Sequence, residues 1–218
     1  MIKNNIQPIN NEPALFIKDK KILIIADLHI GIEEELKEYG LHSGSQNQKL
    51  LKKIDTICKK YKKNDIILLG DIKHNIPTTT YQERKDVKRF LEKIKNFSKI
   101  HIIPGNHDGN IDKLVPKEII IHNSSGLVID NIGFIHGHRW PKKEIFECER
   151  VIMGHTHPTI MLTDRMKFKN YESCWVKTNF LEDKIKKRYD TRKNPNLIII
   201  PAFNPLCGGI AINKEGIV

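Results

Sequence analysis

Five segments of this sequence join a short apolar run to a cluster of acids, amides and histidines. Residues 22–26 lead into Asp27-Leu28-His29, and residues 66–69 into Gly70-Asp71. Residues 100–103 precede Pro104-Gly105-Asn106-His107-Asp108. Residues 132–135 precede His136-Gly137-His138, and residues 151–153 precede Gly154-His155-Thr156-His157. Residues two apart in an extended chain point to the same side, so His155 and His157 can share one site, as can Asp27 and His29. Gly154, just before His155, allows a sharp or closely packed backbone. Imidazole nitrogens, carboxylates and an amide oxygen suit divalent manganese, iron, zinc or related ions. Taking one histidine from H-G-H, seven such donors exceed what one ion with an open position needs. They suit two ions that share a carboxylate at ~3.5–4 Å.

The apolar runs read as strands of a buried sheet, because most are continuous rather than alternating. Further short strands are expected at 14–17, 119–122, 127–129, 159–162, 175–177, 197–200 and 209–212. Residues 49–63 place Leu50, Ile54, Ile57, Cys58 and Tyr61 on one helical face. Residues 83–97 do the same with Val87, Phe90, Leu91, Ile94 and Phe97. Strand–helix alternation followed by a strand-rich half predicts two packed sheets with helices outside. Ligands in such α/β folds bind outside the carboxyl ends of the strands, where the polar clusters stand. The basic stretch at about 164–195 reads as an irregular surface excursion within a single domain spanning 1–218.

The 218 residues suffice for one domain with a real core. An apolar share of 39% and a charged share of 29% fit a folded, soluble chain. The N-terminus lacks the layout of a signal peptide and no apolar run is long enough to cross a bilayer, so a cytoplasmic location is expected. Cys58, Cys148, Cys174 and Cys207 form no C-x-x-C pair, and reduced, inert thiols are the expectation. Lys+Arg 37 against Asp+Glu 26 gives a net charge of +11, which favours an acidic partner such as nucleic acid. Lysine is abundant throughout, so simple solvation accounts for the charge equally well.

D-L-H, G-D, G-N-H-D, H-G-H and G-H-T-H, in this order, resemble the calcineurin-like metallophosphoesterases. DLHIGIEEEL, GDIKH and PAFNPLCGG further resemble the small SbcD-related phosphoesterases of archaea and the bacterial phosphoesterases associated with a DNA ligase and a helicase. The resemblance implies a four-layer α/β/β/α sandwich of two mixed β-sheets flanked by helices. It implies that Asp27, His29 and His157 hold one divalent ion, that Asn106, His136 and His155 hold the other, and that Asp71 bridges them. Manganese is the first expectation, with iron, zinc or nickel as alternatives. His136 is taken as the ligand of H-G-H because it directly follows the strand, with His138 near the substrate; the reverse assignment stays open. His107 would be the catalytic histidine, with Asp108 orienting it. Arg139 and His74 are further candidates for contact with substrate, whereas His101 and His122 sit in strand patterns and read as structural.

The implied chemistry is in-line attack on a phosphate ester by a hydroxide bridging the ions, with His107 protonating the leaving oxygen. Two divalent ions against Asp27, Asp71 and the hydroxide leave a site of about +1, which attracts an anionic ester. A phosphodiesterase or nuclease acting on nucleic acid or nucleotides is the first reading. A phosphomonoesterase or nucleotide pyrophosphatase would use the same ions. A catalytically silent scaffold ranks last, since His107 and every ligand type are present. Nucleases of the SbcD type carry an additional capping domain; none is expected within these 218 residues, which favours small or single-stranded substrates. A helicase or repair complex as partner follows from family analogy alone.

Overall fold

A computed structural model describes residues 6–41, 43–191 and 193–216. Its first sheet has six strands in spatial order β1 (Ile6–Pro8), β2 (Ala14–Ile17), β3 (Ile22–Ile25), β4 (Asp65–Leu68), β5 (Lys99–Ile102) and β6 (Ile120–Ile121). Strands β3 to β6 are parallel, and β1 and β2 add an antiparallel edge. The chain makes α1 (Ile32–Glu38) and α2 (Gln46–Lys60) between β3 and β4, and α3 (Tyr81–Ile94) between β4 and β5.

The second half supplies β7 (Leu127–Ile129), β8 (Ile132–Ile135), β9 (Arg150–Met153), β10 (Pro158–Thr163), β11 (Lys169–Ser173) and β12 (Val176–Asn179). Helix α4 (Glu182–Tyr189), β13 (Asn196–Ile199), β14 (Ile210–Ala211) and the short α5 (Ile212–Glu215) follow. The second sheet runs β12-β13-β9-β8-β7, with β13, β9 and β8 parallel. A third, small sheet joins β11, β10 and β14.

The continuous apolar runs have a physical reason. Leu23 and Ile25 of β3, Ile66 and Leu68 of β4, and Ile100 and Ile102 of β5 face the helices. There they meet Leu50, Ile54 and Ile57 of α2 and Val87, Phe90, Leu91 and Ile94 of α3. Their alternates Ile22, Ile24 and Ile67, continued by Ala26, Leu69 and Ile103, face the second sheet and pack on Ile132, Phe134, Ile152 and Ile200. Both faces are therefore buried, and neither tolerates a polar alternation. Beyond the second sheet the cover is thinner. Ile145, on a single 3-10 turn, packs there with Phe180 and Ile212. The Phe146 ring meets Phe180 edge-to-face at 5.3 Å and Tyr189 of α4, tilted, at 4.6 Å.

The expected strands all form, with ends shifted by a residue or two, and both expected helices form. The stretch at 164–195 departs from its reading as irregular, since it holds β11, β12 and α4. Strand β11 is exposed along its whole length and α4 buries only Ile185, so neither leaves an apolar period in the sequence. Strand β1 and helix α1 were not anticipated either, being only three and seven residues long. His101 and His122 pair at 2.8 Å on neighbouring strand ends, with His101 also 3.1 Å from Asp65. Among the described residues no helix is long and apolar enough to cross a membrane.

The sheet–sheet core carries the fold. Phe134→Ala is expected to cost about 3–5 kcal/mol, seen as a lower urea midpoint with an unchanged slope.

Candidate metal centre

Five strands of two sheets aim their carboxyl ends at one place. Asp27 and His29 follow β3, Asp71 follows β4, Asn106 and His107 follow β5, His136 follows β8, and His155 and His157 follow β9. The side chains do not converge through extended backbone, as the period-two reading supposed. Asp27, His29, Asp71, His155 and His157 all have positive φ, between 41° and 72°. Each left-handed non-glycine residue costs on the order of 1 kcal/mol or more, so five at one site mark a strained, over-determined geometry. Gly70 is part of the same constraint. Its φ is 79°, and a Cβ there would stand 2.1 Å from Nδ1 of His136.

Asp71 lies at the centre. Its Oδ1 accepts the His107 backbone N–H at 2.9 Å. Its Oδ2 is 3.2 Å from Nε2 of His136 and 3.7 Å from Nε2 of His29. On one side His136 Nε2 is also 3.3 Å from Oδ1 of Asn106, and the His136 and His155 rings are 4.8 Å apart. On the other side His29 Nε2 and His157 Nε2 are 3.3 Å apart, and His157 Nε2 is 3.4 Å from Oδ1 of Asp27. Donor atoms of Asp71, His136 and His155 lie within 4.8 Å of one another, and so do those of Asp27, His29 and Asp71. Such clusters of nitrogen and oxygen donors fit divalent ions.

The outward-facing ring atoms are also satisfied. Nδ1 of His136 is 2.9 Å from the Leu69 carbonyl, and Nδ1 of His157 is 2.9 Å from the Gly208 carbonyl. A histidine that donates one N–H to a carbonyl presents the other nitrogen, here Nε2, to the site. His138 is one ring further out, 5.3 Å from His136 by ring centroids.

The charges follow this packing. Burial opposes charge on His136, but Asp71 and Asp27 outweigh it and raise its pKa to about 9. Burial likewise opposes the Asp71 carboxylate, yet His136 and the His107 N–H hold it well below the usual range. Burial pushes His29 down to about 3 and His138 down to about 4. His157 is raised because Asp27 overcomes its burial, and burial lowers His155.

One expected contact is not made. Asp108 does not orient the His107 ring. Its buried carboxylate accepts backbone N–H bonds from Gly105 at 2.8 Å, Ile72 at 2.8 Å and Lys73 at 3.3 Å, so it ties the loops after β4 and β5 together. The His107 ring is held instead by the His74 carbonyl, which its Nδ1 meets. The His74 ring lies between Nδ1 of His29 at 3.2 Å and the Glu35 carboxylate at 2.5 Å, while Arg139 donates to the Ser124 hydroxyl at 2.6 Å. Two groups escaped the sequence reading. Glu83, fully buried at the start of α3, accepts N–H bonds from His74 at 2.6 Å and Asn75 at 2.8 Å. Thr80 to Glu83 is a T-x-x-E capping box by spacing, and that was the available signal. Cys207, expected to be inert, brings its sulfur to His29 and His157. Burial pushes its thiol well up, with Asp27 and Asp71 adding to the shift.

The sequence profile of the calcineurin-like phosphoesterases matches residues 20–200. The chain is a calcineurin-like phosphoesterase. It is thus a metal-dependent phosphoester hydrolase, and divalent metal ions and a phosphoester substrate belong to its chemistry. A nuclease MPE from Pseudomonas putida shares the fold at a TM-score of 0.60 and 20% identity, covering 97% of this chain and 93% of that one. The phosphoesterase YfcE from E. coli aligns at a TM-score of 0.40 and 15% identity, over 69% and 77% of the two chains. Vps29 from Chaetomium thermophilum aligns at 0.38 and 15%, over 70% and 68%. Comparison with curated proteins finds no match to the chain.

Two outcomes follow for the phosphoesterase. An ion held at this cluster would compete with the proton on His136 below about pH 9, so binding there should release protons at neutral pH and tighten as pH rises toward that value. Calorimetry in buffers of different ionisation enthalpy reads this directly. Glu83→Ala leaves buried N–H groups unpaired and should cost about 1–3 kcal/mol, with kcat falling more than metal affinity as the His74 carbonyl shifts.

Proposed function

We propose that the protein is a dinuclear phosphodiesterase that cleaves nucleic acid, single-stranded or small, or nucleotides. The observation that carries this reading is the position of the Asp71 carboxylate between two donor groups. In it, Asp27, His29 and His157 hold one ion with Asp71, and Asn106, His136 and His155 hold the other. His136 is chosen over His138 because it is fully buried with Nε2 3.2 Å from Asp71. Manganese is the first metal to test, with iron, zinc and nickel next.

Bound divalent ions supply an activated water and neutralise phosphoryl oxygens. The residues do the rest. Asn106 contributes a neutral oxygen, so it adds no charge that repels the ester. His107, tethered through Nδ1 to the His74 carbonyl, has Nε2 available to give a proton to the leaving oxygen. Asp71 fixes the His107 backbone, so ion and acid keep one spacing.

Support for a nucleic-acid substrate comes from the hairpin of β10 and β11, which starts at Pro158, directly after His157. Phe168 and Tyr171 are 68% and 54% exposed there, among Arg165, Lys167 and Lys169. Exposed rings interleaved with cations suit stacked bases and a phosphate backbone. The net charge of +11 points the same way, and the Pseudomonas putida neighbour is a nuclease. A helicase or repair protein as partner belongs to the same reading.

Metal-stripped protein should regain hydrolysis of bis-(p-nitrophenyl) phosphate with manganese, and His107→Ala should lose at least about 100-fold of it. Turnover of the mono-ester alone would make the protein a phosphomonoesterase instead. Joint replacement of Phe168 and Tyr171 by alanine should weaken binding of a single-stranded oligonucleotide by about 1–3 kcal/mol per stacked base and leave the small bis-ester untouched.

A further inference from the structure

One donor group at the centre contains sulfur. Sγ of Cys207 and one ring nitrogen each of His29 and His157 all lie within 4.8 Å of one another. The loop that carries the thiol is fastened to the turn that carries His29. The Phe203 N–H donates to the Ala26 carbonyl at 2.9 Å, and the Asn204 N–H to the Asp27 carbonyl at 3.3 Å. The buried Asn204 side chain donates to the Leu28 carbonyl at 2.8 Å and accepts the Leu206 N–H at 3.0 Å. The Cys207 N–H closes the turn on the Asn204 carbonyl at 3.1 Å. The carbonyl of the next residue, Gly208, accepts the Nδ1–H of His157, which leaves Nε2 facing inward. A Cβ at Gly209 would come within 2.2 Å of the His157 carbonyl, so the close approach of this loop requires glycine there. A single stretch thus orients one histidine and delivers the thiol beside it.

We propose that Cys207 is a thiolate ligand of the ion held by Asp27, His29 and His157. The inference rests on the two-ion reading above and deepens it. Thiolate is a soft donor, and manganese and magnesium prefer oxygen. The two positions then differ. The one with Asn106, His136 and His155 keeps nitrogen and oxygen donors alone, whereas the one with Cys207 favours zinc, cobalt or iron. The thiol proton leaves to solvent as the sulfur–metal bond forms, and nothing is oxidised or reduced. Among the described cysteines Cys58 and Cys148 are buried elsewhere and Cys174 lies outside the donor groups, so the effect belongs to one residue.

The test is titration of metal-stripped protein with cobalt(II), followed by absorption spectroscopy. The native chain and Cys174→Ser are expected to show visible d–d bands together with a near-ultraviolet sulfur-to-cobalt charge-transfer band. Cys207→Ser should keep the d–d bands and lose the charge-transfer band. Its zinc affinity should fall at least about tenfold, the lower bound seen when even an indirect metal partner is removed, and its manganese affinity should fall less. Visible bands without charge transfer in the native chain would overturn the role of Cys207 and leave the metal centre standing. Charge transfer that persists in Cys207→Ser would overturn it too. Absence of both bands would strike the two-ion reading itself.

Discussion

The carboxylate of Asp71 is the constraint on which the site depends. It stands at the end of β4, between the parallel neighbours β3 and β5. One oxygen is fixed by the His107 N–H, and the other lies between His136 and His29. That position requires a left-handed Asp71 after a left-handed Gly70, against a buried His136 ring. The sheet–sheet core supplies the rigidity that holds the strain. Apolar side chains on both faces of β3 and β4 leave their loops no alternative path.

The surrounding polar groups act as struts between loops. Asp108 joins the loops after β4 and β5, and Asp27 accepts the His155 N–H, which links the two sheets. Asn204 fastens the loop after β13 to the Asp27–His29 turn, and Glu83 holds His74 and Asn75. All four are nearly fully buried, and Asp108 and Glu83 spend their acceptors largely on backbone N–H groups rather than on a ring. Metal centres need such support, because ligands placed an ångström too loosely lose their shared geometry. Glu83 and His74 extend the same logic to the proposed acid, since His107 is aimed by a carbonyl whose own residue Glu83 pins.

The strands and the donors at their ends were legible because runs buried on both faces are continuous, and Asp, Asn and His after them have no packing purpose. The geometry was reached by a faulty route. Period two predicted convergence through extended chain, whereas the structure achieves it through left-handed turns, for which Asp and His give only a weak sequence signal. The orienting role that the resemblance implied for Asp108 is not seen, because its carboxylate is taken up by backbone N–H groups of the loops after β4 and β5. Cys207 stood out of reach for another reason. It meets the carbonyl of Asp27, 180 positions earlier, only after two sheets have packed. Strand β11 and helix α4 stayed hidden because almost none of their side chains is buried.

The central claim is that Asp71 is shared by two ions. Anomalous diffraction from a crystal loaded with divalent metal at neutral pH tests it most directly. The account predicts two peaks ~3.5–4 Å apart, one on each side of the Asp71 carboxylate. A single peak, or two that do not share Asp71, would contradict it.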